Sequence, residues 1–237
     1  MVRKEENKIQ RTRIEWVKNP DNKTQGYSSN PVKGLCPVNC KDNQGRSYCY
    51  ARALYDRFGW DKTIRFDVKE LLAIEKHKKP AGIFLGSTFE LFWDGLERFW
   101  QDSIFRTIRA CPQHRFFFLT KQPQNLIQFS PFPLNCWVGI TATNIKQYVR
   151  GLVGLKAIQA KVKYVSFEPL LGYIPINLPY DLDDSNWVII GAQTKPNKQP
   201  NPGWVNKILN ACDIAKVPVF MKDNLAWKYH RQEVPSG

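Results

Sequence analysis

The chain has 237 residues, 43% of them hydrophobic, which is enough apolar material for one large core. No apolar run approaches the about 18 residues of a membrane span, and the first residues have no apolar centre of the signal-peptide type, so a cytoplasmic protein with reduced thiols and no membrane partner is expected. The net charge of +14, from 35 Lys and Arg against 21 Asp and Glu, suits either a polyanionic partner such as nucleic acid or plain solubility.

The basic excess sits at the two ends. Residues 1–80 carry 18 Lys and Arg against 10 Asp and Glu, and residues 195–237 carry 7 against 3. Residues 1–12 are charged and aperiodic and read as a flexible tail. The rest, 13–237, has no internal repeat and no linker, so a single domain is expected there. Residues 13–17 read as a short strand, followed by a turn-rich stretch around 19–22. Residues 50–58 read as a helix with Gly59 as its stop, and 68–78 as a second helix ended by Pro80.

From there apolar runs alternate with helical patterns. Strands are predicted at 82–86, 115–120, 136–141, 164–168, 187–191 and 217–221, and helices at 96–110, from Ile145 to Val153 and at 204–216. Continuous apolar strands separated by helices predict an α/β fold whose parallel sheet is covered by outer helices. About six or seven parallel strands fit a partial or complete TIM-like (β/α) barrel.

The stretch 34–51, rich in Gly, Asn and Pro, holds Cys36, Cys40 and Cys49. Three thiols make a poor disulfide system because one is left over. A flexible loop can instead fold around an ion or cluster and aim several sulfurs inward. A structural zinc site closes with four ligands, and the nearest histidine, His77, lies well outside the loop. The pattern points to a metal or cluster site with one position open, with zinc and unligated thiols as the alternatives. Cys111, Cys136 and Cys212 stand in apolar surroundings and read as small buried hydrophobes. His77, His114 and His230 form no metal or triad pattern, and the aromatic group of Phe89, Phe92, Trp93, Phe99 and Trp100 reads as packing.

The three-cysteine loop, ending in Tyr48-Cys-Tyr-Ala51, resembles the cluster loop of the radical S-adenosylmethionine (SAM) superfamily. More closely, the chain resembles a phage- and bacteria-associated family of radical-SAM-like proteins whose substrate is not assigned. The resemblance runs in order through Ile14-Glu-Trp16, Asn30-Pro-Val-Lys-Gly34, Phe118-Leu-Thr-Lys-Gln-Pro123 and Val165-Ser-Phe-Glu-Pro-Leu-Leu-Gly172. It implies a barrel of the radical SAM type, a [4Fe-4S] cluster on Cys36, Cys40 and Cys49, S-adenosyl-L-methionine as cofactor, and an external one-electron donor such as flavodoxin or ferredoxin. It also implies Tyr48 near the adenine, Ser87, Thr88 and Glu90 at the methionyl amine, and Thr141 and Glu168 at the ribose and carboxylate. In such enzymes reductive cleavage of SAM yields a 5′-deoxyadenosyl radical that takes hydrogen from the substrate. Here that substrate is unidentified, with nucleic acid suggested by the charge.

One feature departs from the superfamily. Its usual spacing leaves three residues between the first two cysteines and two between the last two, whereas eight separate Cys40 from Cys49 here. The polar stretch 41–47 would have to bulge outward and let Cys49 return. In a barrel of this type the site lies where strands hand over to loops. Lys121, Thr143, Gln193 and Lys222 stand at such positions and are expected in a substrate pocket. Glu168 and Lys222 each follow an apolar strand, where an unpaired charge is costly. Two further readings stay open: a metal- or cluster-binding nucleic-acid-interaction protein without catalysis, and a fold whose enlarged loop no longer holds a working cluster. A monomer is expected.

Overall fold

The computed structural model describes residues 8–42, 44–176 and 185–236. In chain order its first half comprises β1 (Gln10–Arg11), β2 (Tyr27–Ser29), β3 (Val32–Lys33), α1 (Tyr50–Phe58), β4 (Arg65–Phe66), α2 (Val68–Lys76), β5 (Gly82–Leu85) and α3 (Arg98–Ala110). The second half comprises β6 (Arg115–Thr120), a 3-10 helix (Pro123–Phe129), β7 (Cys136–Thr141), α4 (Ile145–Lys156), β8 (Val162–Phe167), β9 (Trp187–Ile190), β10 (Gln193–Thr194), β11 (Asn197–Lys198), α5 (Pro202–Ala215) and β12 (Val219–Met221). Among the described residues no helix is long and apolar enough to cross a membrane.

The central sheet has the order β1-β2-β5-β6-β7-β8-β9-β12. Seven of its strands are parallel, and only β1 runs antiparallel to its neighbour. The mixed α/β class and the mostly parallel sheet are as the alternating apolar runs suggest. A complete barrel is not formed, because the sheet stays open between β1 and β12. The outer edge of β12 is already satisfied: Met221 N–H donates to the Arg231 carbonyl (2.7 Å) and Glu233 N–H to the Val219 carbonyl (3.0 Å). The last residues thus protect that edge from further pairing.

Side chains alternate along each strand, so the sheet has two distinct faces. Ile83, Phe116, Phe118, Val138, Ile140, Val165 and Val188 point to the face that packs on Leu71, Ile74, Ile104, Ile108, Leu155, Val205 and Ile208 of the helices. The opposite face carries Phe84, Phe117, Trp137, Tyr164, Trp187 and Phe220, and these close around Trp16. The Trp16 ring lies 5.0 Å from Phe84 on β5, 5.8 Å from Phe117 on β6, 6.0 Å from Tyr164 on β8 and 6.1 Å from Trp187 on β9. On a flat sheet β5 and β9 would be about 19 Å apart. One indole can reach all four only if the sheet curves around it.

Residues 13–17 are therefore not a strand. Val17 N–H donates to the Ile14 carbonyl (3.1 Å), and this turn drives Trp16 into the concave face, where it is 1% exposed. The expected tail over 1–12 enters the fold by Ile9, which is buried, and Gln10 pairs with Ser28; residues 1–7 lie outside the described residues. The other predicted elements are present, with ends shifted. Asp67, Asn144 and Asn201 cap α2, α4 and α5 through side-chain oxygens that accept from Lys69, Gln147 and Gly203 N–H. Gly139 lets the Tyr164 ring cross β7, since a Cβ there would meet the ring at 2.3 Å.

Candidate functional site

Along the concave face, aromatic rings fill the lower layers and polar groups take over at the carboxyl ends of the strands. Lys121 follows β6, Thr141 ends β7, Glu168 follows β8, Gln193 lies just past β9, and Lys222 follows β12. There a cavity of about 340 Å³ opens, within the ~300–1,000 Å³ usual for ligand sites. Ligands of open parallel sheets bind at this edge, where strands hand over to loops. Trp16, Ile14, Phe84 and Leu119 also line the cavity.

The cysteine loop forms one wall. Gly34 N–H donates to the Tyr55 hydroxyl (2.8 Å), Leu35 N–H to the Lys62 carbonyl (3.0 Å), and Arg52 to the Cys36 carbonyl (3.0 Å). The long gap between Cys40 and Cys49 folds on itself. Lys41 bridges to Ser47, Asp42 accepts from the Gln44 and Arg46 N–H groups (both 2.9 Å), and Tyr48 N–H donates to the Cys40 carbonyl (3.1 Å). The extra residues stand out towards solvent, and Cys49 returns beside Cys40. Residue 43 lies outside the described residues.

Cys36, Cys40 and Cys49 all line the cavity, each partly exposed. Cys49 is the N-cap residue of α1. Its thiol is held well below the usual range, first by the Cys40 thiol, then against the opposing effect of burial by the Arg52 and Ala51 amides and the Lys121 ammonium. Cys40 is pushed up by sharing its proton with Cys49 and by burial, and Cys36 is pushed up by burial. Cys40 and Cys49 therefore share a proton and lose it as a pair. Among the described residues, no three His, Cys, Asp or Glu side chains converge as a single ion requires. What the loop offers is three thiols on one wall, with Cys40 and Cys49 within hydrogen-bond reach of each other.

Beside Cys36, Glu90 is buried and its carboxylate accepts from the Thr120 hydroxyl (2.7 Å), Phe92 N–H (3.2 Å) and Lys121 N–H (2.8 Å). It ties the loop after β5 to the end of β6. The Ser87 and Thr88 hydroxyls donate to Asn30 Oδ1 (3.2 and 2.9 Å), which leaves their lone pairs to accept from a ligand N–H. The Lys121 ammonium makes no ion pair among the described residues. Burial alone would lower its pKa, but Cys40, Tyr48, Glu90 and Cys49 outweigh burial and raise it. Glu168 and Lys222 pair with each other, and Gly191 makes room for them, since a Cβ there would lie 3.0 Å from Lys222 and 3.1 Å from Glu168.

Four buried polar atoms on residues lining this cavity have no hydrogen-bond partner: Trp16 Nε1, the Tyr48 hydroxyl, Thr141 Oγ1 and Gln193 Oε1. Burying such groups unpaired costs about 1–3 kcal/mol each. Their gathering at one cavity therefore marks a ligand surface that offers both donors and acceptors. Of the residues expected in a site, all line the cavity except Thr143. Thr143 instead donates through its hydroxyl and N–H to Gln147 Oε1 (3.0 and 2.9 Å) at the start of α4.

A family model described as a protein of unknown function (DUF5131) matches residues 11–235. The chain belongs to this family. The DUF5131 match spans every residue that lines the cavity. No curated protein and no solved structure matches the chain.

Sequence reasoning does not single out Asn30, Tyr50 or Glu15. Asn30 organises the Ser87–Thr88 turn, and Tyr50 donates to the Ser87 carbonyl. Glu15 stands behind the Glu168–Lys222 pair and accepts from Asp223 N–H (3.2 Å). Its pKa is raised from 4.5 mainly by burial, against the pull of Lys222 and the Asp223 N–H. A carboxyl with a raised folded-state pKa favours the fold when protonated, and that contribution is lost as pH rises through the folded pKa. Glu15→Gln in this DUF5131 chain is accordingly expected to melt above the parent at pH 7. The two melting curves should converge below about pH 4, where both side chains are neutral. A variant less stable than the parent at pH 7 would contradict this.

Proposed function

We propose that this protein is an enzyme of the radical SAM type acting on a substrate yet to be identified. The observation that carries the reading is the meeting of three thiols and four unpartnered buried polar groups on one cavity at the carboxyl edge of the parallel sheet. The open, curved sheet suits a partial barrel rather than a complete one. The donor set also fits the cofactor. A [4Fe-4S] cluster spreads its ligands over separate corners and takes thiolates along a wall, with no need for three sulfurs around one point.

In this reading Cys36, Cys40 and Cys49 would hold the cluster. The same cavity would also take S-adenosyl-L-methionine. Tyr48 would flank the adenine, the Ser87 and Thr88 hydroxyls and Glu90 would take the methionyl ammonium, and Thr141 and Glu168 would serve the ribose and carboxylate side. Lys121, Gln193 and Lys222 face the substrate, while Trp16 and Phe84 floor the cavity and keep water from it. When bound, the cluster and SAM would supply one-electron reductive cleavage chemistry, and Cys36, Cys40 and Cys49 would hold the cluster that delivers it. The protein's own residues bind, orient and exclude solvent. The electron comes from an external donor such as flavodoxin or ferredoxin.

The test is anaerobic reconstitution with iron and sulfide, followed by incubation with SAM and dithionite. Release of 5′-deoxyadenosine that requires both iron and reductant is the expected result. No release from iron-loaded protein would leave the non-catalytic, nucleic-acid-binding reading in its place.

A further inference from the structure

A second concavity of about 600 Å³ lies beside the cavity and shares Ile14, Tyr50, Ser87 and Thr88 with it. Tyr50 stands between the two: its hydroxyl donates to the Ser87 carbonyl while its ring is 47% exposed. On this groove Trp60 is 46% exposed, and Phe58 beside it is 54% exposed. The left-handed Gly59 ends α1 and folds the chain back, so the two rings stack at 5.5 Å with their planes 20° apart. Large rings left half in water beside a ligand cavity call for an occupant of the same flat shape.

The charges around the groove define that occupant further. Arg13, Lys33 and Arg65 line it, and Arg57 lies with its guanidinium 5.3 Å from the Phe58 ring. Arg65 is paired with Asp61 (2.9 Å) and Lys33 with Glu70 (2.5 Å). Arg13 and Arg57 make no ion pair among the described residues. Arg13 on the groove wall, and Arg57 just outside it against the Phe58 ring, thus stand near an exposed aromatic pair without a carboxylate partner, in a chain of net charge +14. Cations following a groove, with rings on which bases can stack, are the features that bind unpaired polynucleotide. A duplex keeps its bases stacked on one another and offers such rings nothing.

We propose that this groove binds single-stranded nucleic acid, with Trp60 and Phe58 as the stacking platform and Arg13 and Arg57 on the phosphates. That the strand is also the substrate, presented across Tyr50, rests on the reading of the cavity given above. Binding itself does not depend on that reading.

The test is fluorescence anisotropy of a labelled oligothymidylate of about 12 nucleotides, within the span such grooves cover. A duplex of equal length and a polyglutamate competitor serve as comparisons. The single strand should bind the full-length protein, with and without iron, and equally in Cys36→Ala. Trp60→Ala should weaken it about tenfold, as loss of one stacked base does, and Trp60→Phe should restore most of the affinity. Arg13→Gln and Arg57→Gln should each reduce the slope of log affinity against log salt by about 0.7. Equal affinity for duplex, no effect of Trp60→Ala, or displacement by polyglutamate at matched charge would overturn the proposal. Binding without SAM cleavage would leave the groove standing and remove only the radical SAM reading.

Discussion

Cys49→Ala should lose iron completely, from about four irons per reconstituted chain to background, while the protein folds as before. Cys49 is only partly exposed, caps α1 without a side-chain cap hydrogen bond, and belongs to neither of the two apolar clusters. Removing its sulfur therefore costs within about 0.5 kcal/mol, a change of about 1–2 °C in Tm for a chain of this size. Cys36→Ala and Cys40→Ala should behave alike for iron and for 5′-deoxyadenosine release. The remaining cysteines supply the control. Cys111, Cys136 and Cys212 are buried among apolar side chains, so Cys212→Ala should keep its iron and lose stability instead. Iron retained in Cys49→Ala, or lost equally in Cys212→Ala, would show that the thiols of the loop are not the ligands.

The largest effect on stability is expected at Trp16. Its ring touches side chains from four strands and forms part of the cavity floor. Trp16→Ala leaves a void that the curved sheet cannot close without flattening, at a cost of about 3–5 kcal/mol. For a chain of this length Tm should fall by about 10 °C or more. Trp16→Phe separates packing from polarity. It keeps most of the ring but removes Nε1, which has no partner within the protein. Its Tm should stay close to the parent's, and SAM affinity should fall by about fivefold to tenfold, the value of one hydrogen bond. A Trp16→Ala protein melting with the parent would mean that the indole does not hold the concave face together.

What the sequence reveals follows physical lines. The runs at 82–86, 115–120 and 187–191 are largely buried on both faces, so they read as apolar strands, and a polar residue within two positions of each run (Ser87, Lys121 and Gln193) lines the cavity. The polar bulge before Cys49 is readable too, because Asp42, Gly45 and Arg46 are turn residues without apolar neighbours. Residues 13–17 mislead because Ile14, Trp16 and Val17 look like strand residues, yet their burial comes from one inserted ring and a turn. β2 is hidden because Tyr27–Ser29 is short and polar; Ser29 is buried only because its hydroxyl donates to Glu70 (2.9 Å), 41 residues away. Thr143 stands where a rim residue should, but the local demand for a partner at the start of α4 claims it. Whether the sheet closes depends on what covers β12, a contact with residues 231–233 that no local pattern announces.

Three thiols on this wall are proposed to hold a cluster with one iron open to SAM. Electron paramagnetic resonance of the anaerobically reconstituted, reduced protein, recorded before and after SAM is added, tests this most directly. A [4Fe-4S]⁺ signal that changes when SAM binds and is absent from Cys49→Ala is expected. Zinc in place of iron, or a cluster signal indifferent to SAM, would contradict it.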